Sequence, residues 1–241
     1  MRAVFLLCAL ALAACNEQQP VSAAESAVVA QSLAPSDLPA FFDCLRERGQ
    51  TIVAAHRGGP VPGFAENSIP TFENSLRGAP ALLEIDIAET RDGALVLMHD
   101  DALDRTTNGE GAVRDHTLAE IQALQLEDND GRALNAHPPA LREALDWAAG
   151  RAILELDVKR GVSYEDVVAE VRAANAADRV IFITYSTAAA IRVHRLTPEL
   201  MISTTIESEA DLSALQNARV DLSRILAWTG TEEPNSALNA A

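Results

Sequence analysis

Two histidines, an arginine and two closely spaced carboxylates stand at or beside the ends of short apolar runs between residues 52 and 109. Ile52-Val53-Ala54-Ala55 runs into His56-Arg57-Gly58-Gly59. Leu82-Leu83-Glu84-Ile85-Asp86-Ile87 carries Glu84 and Asp86 two residues apart, and Ala94-Leu95-Val96-Leu97-Met98 runs into His99-Asp100-Asp101. Short aliphatic runs bounded by Gly, Pro and Asp read as buried strands. Side chains two apart on a strand share a face, so Glu84 and Asp86 point at one spot. Carboxylates aimed together are costly unless a cation stands between them, and oxygen ligands suit a hard ion such as Mg²⁺ or Ca²⁺. A third ligand has to come from another strand end, and Leu154-Glu155-Leu156-Asp157-Val158-Lys159 is the good candidate. Glu155 and Asp157 share a strand face there, so either could supply it. Histidine titrates near neutrality, so His56 and His99 can divide proton acceptance and donation between them. Arg57 can fork onto an oxyanion.

The stretch resembles the glycerophosphodiester phosphodiesterase family. The matching residues are His56-Arg57-Gly58, Glu66-Asn67-Ser68, Glu84-Ile85-Asp86, Asp92-Gly93, His99-Asp100, Leu103 and Arg105-Thr106-Thr107-Asn108-Gly109. They continue through Thr117-Leu118-Ala119-Glu120-Ile121 and Leu124. Many pieces in order at the family's spacing make a specific signal over residues 50–126; residues 127–229 follow by pattern. The resemblance implies a TIM-type barrel and metal-dependent hydrolysis of a glycerophosphodiester to an alcohol and glycerol 3-phosphate. It implies His56 and His99 as the acid–base pair, Glu84, Asp86 and Asp157 as metal ligands, and Arg57 and Lys159 near the phosphate. Glu66 is expected to bond Arg57, the metal site or a glycerol hydroxyl. Many members carry Glu where Asp157 stands, and proline where Ala65 stands; the latter change alters loop stiffness more than chemistry. Asp100 and Asp101 are expected to cap the following turn and orient His99, and Arg105 to serve loop architecture. Trp228 either touches substrate or packs in the core. His116, His137 and His194 match no motif and read as surface residues.

The elements that must position these residues alternate. Strands are expected at 52–56, 82–87, 94–99, 152–158, 180–185, 200–206 and 225–228. Helices are expected at 37–48, 117–124, 140–149, 164–175, 187–196 and 208–217. Such alternation means a parallel sheet with right-handed crossovers. The first loop lacks the dinucleotide glycine pattern, and the site residues fall near the C-terminal ends of several strands, as in barrel enzymes. The reading is therefore an α/β barrel of the TIM type, (β/α)₈, in which strand 8 is missing, because no apolar run follows Trp228. An unclosed barrel would expose two strand edges. The helix at 37–48 is expected to plug the N-terminal face.

The 241 residues carry a formal net charge of −16 with 48% hydrophobic residues. That length suffices for one sizeable core, and the acidic balance argues against nucleic acid. Residues 1–14 read as a signal peptide too short to span a membrane. Leu12-Ala13-Ala14-Cys15 resembles the bacterial lipobox, which implies lipidation at Cys15. Residues 15–36 then form a flexible tether and residues 37–241 the phosphodiesterase domain. This places the protein at the cell envelope, on the periplasmic side, held to the membrane by lipid; Asn16 weakly favours the outer membrane. Cys44 has no partner and reads as a buried thiol. Two other functions stay open: a phospholipase D-like lyase releasing a cyclic phosphate from intact lipid, and a non-catalytic binding lipoprotein. The 4% aromatic content and the lack of a long aromatic docking loop rank the lyase lower.

Overall fold

The computed structural model describes residues 34–230. The expected signal segment, Cys15 and most of the tether lie outside the described residues. Helix α1 (Leu38–Glu47) starts at Asp37, whose Oδ1 accepts from the Ala40 N–H at 3.1 Å. Strand β1 (Val53–Ala55) and helix α2 (Ile69–Gly78) lead into the long strand β2 (Ala81–Glu89) and the short β3 (Leu95–Leu97). Helices α3 (Leu118–Gln122) and α4 (Leu141–Ala148) precede β4 (Ile153–Val158). Then α5 (Tyr164–Ala173), β5 (Val180–Thr184), α6 (Thr187–Leu196), β6 (Met201–Thr205), α7 (Glu209–Asn217) and β7 (Ile225–Trp228) alternate.

Six strands pair in parallel in the order β1-β2-β4-β5-β6-β7. The fold is the α/β half-barrel of an incomplete TIM barrel. All seven expected strands are present, but the third does not join the parallel wall. β3 pairs antiparallel with the end of β2, Ile87 opposite Leu97 and Glu89 opposite Leu95. A parallel neighbour needs a crossover of a dozen or more residues, and only Thr90–Ala94 lies between them. Thr90 closes this turn: its N–H donates to the Ala94 carbonyl at 3.0 Å and its hydroxyl to Asp92 Oδ1 at 2.6 Å. Among the described residues no strand joins β7 to β1, and Val53 and Trp228 on these edges are 64% and 53% exposed.

The period of two sorts the wall into two faces. Leu83, Ile85 and Ile87 of β2, with Leu154, Leu156, Phe182 and Ile202, face the outer helices and form the main core. The inward face begins with Leu82, Ile153, Ile181 and Met201, which pack against Leu38, Phe41 and Leu45 of α1. That helix plugs the N-terminal end of the strands, as expected, with the Cys44 thiol buried. Further along the same inward face come Glu84, Asp86, Glu155 and Asp157. Helix α2 was not anticipated. Its marks are Pro70 in the first turn and Phe72 and Leu76 on a buried face.

Candidate active site

Strand register builds the acidic cluster. β2 and β4 pair Glu84 with Glu155 and Asp86 with Asp157. One carboxylate oxygen each from Glu84, Asp86 and Asp157 lies within 4.8 Å of the others, and all three residues are buried. Burial, and then the charge of Asp86, pushes Glu84 up to about 7. Lys159 reaches the cluster from just beyond β4, its Nζ 2.5 Å from Asp86 Oδ1 and 2.6 Å from Asp157 Oδ2. Burial pulls this ammonium down, but Asp157 and Asp86 outweigh burial and hold it above its ordinary value. The Lys159 ammonium, with the Arg57 guanidinium 3.8 Å from Asp86 but also bonded to Glu66, faces three buried carboxylates, which leaves the cluster short of positive charge. Three converging oxygens with that deficit fit a hard divalent cation.

The loop after β1 is held in strained backbone. Arg57 (φ 53°) and Asn67 (φ 55°) both adopt left-handed conformations uncommon for side-chain-bearing residues. The Arg57 N–H donates to Glu84 Oε2 at 2.6 Å, and the Asn67 N–H donates to the Arg57 carbonyl at 2.9 Å. Gly58 (φ 80°) lies over the Phe72 ring of α2, where a Cβ would come within 2.3 Å of ring carbon. Asn67 secures Asp86 twice: its Nδ2 donates to Asp86 Oδ2 at 2.7 Å and its Oδ1 accepts the Asp86 N–H at 2.9 Å. Ala65, where the resemblance implies proline, has its carbonyl held by the hydroxyls of Ser68 and Thr71.

A charged network ties the two histidine loops together. Asp100 Oδ1 lies 2.6 Å from His99 Nδ1, which leaves Nε2 as the available ring nitrogen. Arg105 Nε donates to Asp100 Oδ2 at 2.6 Å, and its two terminal nitrogens bond both oxygens of Glu66 at 2.9 and 2.7 Å. Glu66 also accepts from Arg57 at 3.1 Å. Burial pushes the Glu66 carboxyl up, but Arg105 and Arg57 together more than offset it and hold it below the ordinary value. Arg105, burial notwithstanding, holds Asp100 well below the usual carboxylate range. Arg57 Nε is buried without a hydrogen-bond acceptor, 3.8 Å from Asp86 Oδ2.

A cavity of about 510 Å³ gathers His56, Glu84, Asp86, His99, Glu155, Asp157 and Lys159 on one side. Ile183, Tyr185, Ser203, Thr205 and Trp228 line the other. The structure thus brings together the expected metal ligands, both histidines and Lys159. Glu66 and Arg57 stand behind this wall, and the carboxylate of Glu66 is committed to two guanidiniums. Of the alternatives for Glu66, the bond to Arg57 is the one formed. Trp228 faces the cavity. Asp100 orients His99 as expected, while Arg105 does more than shape its loop. Asn67 and Tyr185 were overlooked as contributors. The first was legible beside Glu66 in Glu66-Asn67-Ser68; the second directly follows the β5 run. His116, His137 and His194 lie outside the cavity.

Known proteins resemble this chain over much of their length. A glycerophosphodiester phosphodiesterase of Bacillus subtilis (strain 168) is 32% identical over 179 residues, which are 66% of this chain and 60% of that protein. One from Caldanaerobacter subterraneus subsp. tengcongensis is 31% identical over 160 residues, 64% of this chain and 65% of that protein. A crystal structure of a glycerophosphoryl diester phosphodiesterase from Parabacteroides distasonis superposes with a TM-score of 0.72 at 35% identity, covering 76% of this chain and 64% of that one. The chain therefore spans somewhat under two thirds of the length of these relatives. Residues 56–228, from the first histidine to the last strand, match the profile of the Glycerophosphoryl diester phosphodiesterase family, and the chain belongs to that family.

Proposed function

We propose that this chain hydrolyses glycerophosphodiesters to an alcohol and glycerol 3-phosphate, using a divalent cation held by Glu84, Asp86 and Asp157. The observation that carries this reading is the convergence of three buried carboxylates with His56, His99 and Lys159 in one cavity. A bound Ca²⁺ or Mg²⁺ would withdraw charge from the phosphate and make a nearby hydroxyl more acidic. One imidazole takes the proton from the attacking oxygen, and the other returns a proton to the departing alkoxide. The Asp100 carboxylate fixes the His99 ring through Nδ1, so its Nε2 is the nitrogen that exchanges the proton. The attacking oxygen is water, or a glycerol hydroxyl whose cyclic ester water then opens. The Lys159 ammonium supplies positive charge beside the phosphate, and the Arg57 guanidinium adds to it at longer range from behind the wall. Glu66 acts through Arg57 and Arg105, holding both in place.

A coupled glycerol 3-phosphate assay across several head groups tests this reading. EDTA should abolish turnover and Ca²⁺ or Mg²⁺ restore it, while His56→Ala should lower kcat by about 100-fold or more. A His56→Ala variant as active as the wild type would remove the mechanism. Phosphorus NMR that shows an accumulating cyclic phosphate would point to the lyase reaction. From residues 1–15 we also infer a lipid anchor at Cys15, a tether to residue 36 and an envelope location with the catalytic domain outside the cytoplasm. Labelled palmitate should enter the wild type and not Cys15→Ser.

A further inference from the structure

Glu155 lines the reaction cavity, is 9% exposed and faces inward beside Asp157 on β4. Among the described residues no hydrogen bond or ion pair engages its carboxyl. Its oxygens keep some access to the cavity, where a water or a ligand hydroxyl can bond them. Nor does Glu155 belong to the cluster of converging oxygens, which consists of Glu84, Asp86 and Asp157. Two residues earlier on the strand than Asp157, it sits about 6–7 Å deeper in the half-barrel. Below it lies the apolar layer of Ile153, Ile181 and Met201 sealed by α1. Across the cavity at this depth stand Ala54 and Ser203, whose small side chains leave room above the carboxyl. The floor therefore offers one hydrogen-bonding carboxyl and a closed bottom.

We propose that Glu155 reads the free terminal hydroxyl of the substrate glycerol, so that the cavity accepts deacylated diesters and turns away those acylated at that oxygen. This rests on the phosphodiesterase reading above. With the phosphate at the cluster, a glycerol chain pointing inward spans a distance comparable to the depth of Glu155. An acyl group on the terminal oxygen removes the donor and adds bulk against a sealed floor. Sites built to bond a substrate hydroxyl reject analogues that lack it strongly, because the buried partner is left unpaired.

The test compares glycerophosphocholine with propane-1,2-diol phosphocholine, which keeps the hydroxyl next to the phosphoester and lacks the terminal one. The wild-type kcat/KM ratio should favour glycerophosphocholine by about 100-fold or more. Glu155→Ala should reduce that ratio to below about 10-fold, with the loss concentrated on glycerophosphocholine, and Glu155→Gln should restore part of it. Equal losses on both substrates, or an unchanged ratio, would overturn the assignment. Calorimetric binding of glycerol 3-phosphate against propane-1,2-diol 1-phosphate separates this proposal from the parent reading. If no diester turns over, the phosphodiesterase reading fails. A wild-type binding preference for glycerol 3-phosphate that Glu155→Ala abolishes would still support the hydroxyl contact, and no preference would defeat it.

Discussion

Asp86 is 1% exposed and is approached by Asn67, Lys159 and Arg57 from three directions. Removing its neutral partner should loosen it without changing the charge: Asn67→Ala is expected to weaken divalent-cation affinity by about 10–100-fold, as read by titration with Ca²⁺ or Mg²⁺. The carboxyls raised by burial, Glu84 and Glu155, make stability depend on pH. Both rise from 4.5 to about 7. Their contribution is full below the unfolded value and fades as pH climbs through 7, by about 3 kcal/mol each at most. In EDTA the melting temperature should thus be lower at pH 8 than at pH 5.5, and added Ca²⁺ or Mg²⁺ should narrow the gap from the alkaline side. A melting temperature that rises with pH in EDTA would contradict the buried cluster. At this scale the ligands were legible because a spacing of two on a strand fixes a common face. The second partner of Glu66 was not, since Arg105 comes from 39 residues away in sequence.

Among the elements, the turn after β1 and helix α2 are built as a unit. The backbone of Gly58 rests on Phe72, and Ser75 Oγ donates to the Gly58 carbonyl at 2.6 Å. Gly58→Ala meets both a left-handed φ and the aromatic ring, so it should destabilise the fold by about 2–4 kcal/mol and depress activity through His56. The plug can be separated from the chemistry. Phe41→Ala should cost about 3–4 kcal/mol in denaturant unfolding while leaving the KM for a glycerophosphodiester near wild type. The strands were legible because aliphatic runs bounded by turn residues are distinctive. Helix α2 was not, because its ten residues carry few apolar positions and sit inside a stretch dominated by the Glu66-Asn67-Ser68 motif. The direction of β3 was likewise hidden, since its run looks like any other and only the length of the connection betrays the reversal.

Over the whole molecule, the formal charge of −16 opposes an anionic ligand at long range. Against that background the cavity holds Lys159 and a carboxylate cluster that could take a cation, with Arg57 behind its wall. Raising salt from about 10 to 150 mM shortens the screening length from about 30 to 8 Å. It should lift kcat/KM for anionic glycerophosphoglycerol by about 2–5-fold relative to zwitterionic glycerophosphocholine; a ratio independent of salt would show that only local charges matter. The return of β3 has a further effect. Met98, the residue before His99, donates its N–H to the carbonyl of Asp86 at 3.0 Å. One imidazole and one carboxylate of the site are thereby spaced by a single covalent ribbon, like two marks on one ruler. If the wall flexes between its six strands, that interval is preserved, and the breathing falls on the opposite bank of the cavity, that of Tyr185, Thr205 and Trp228.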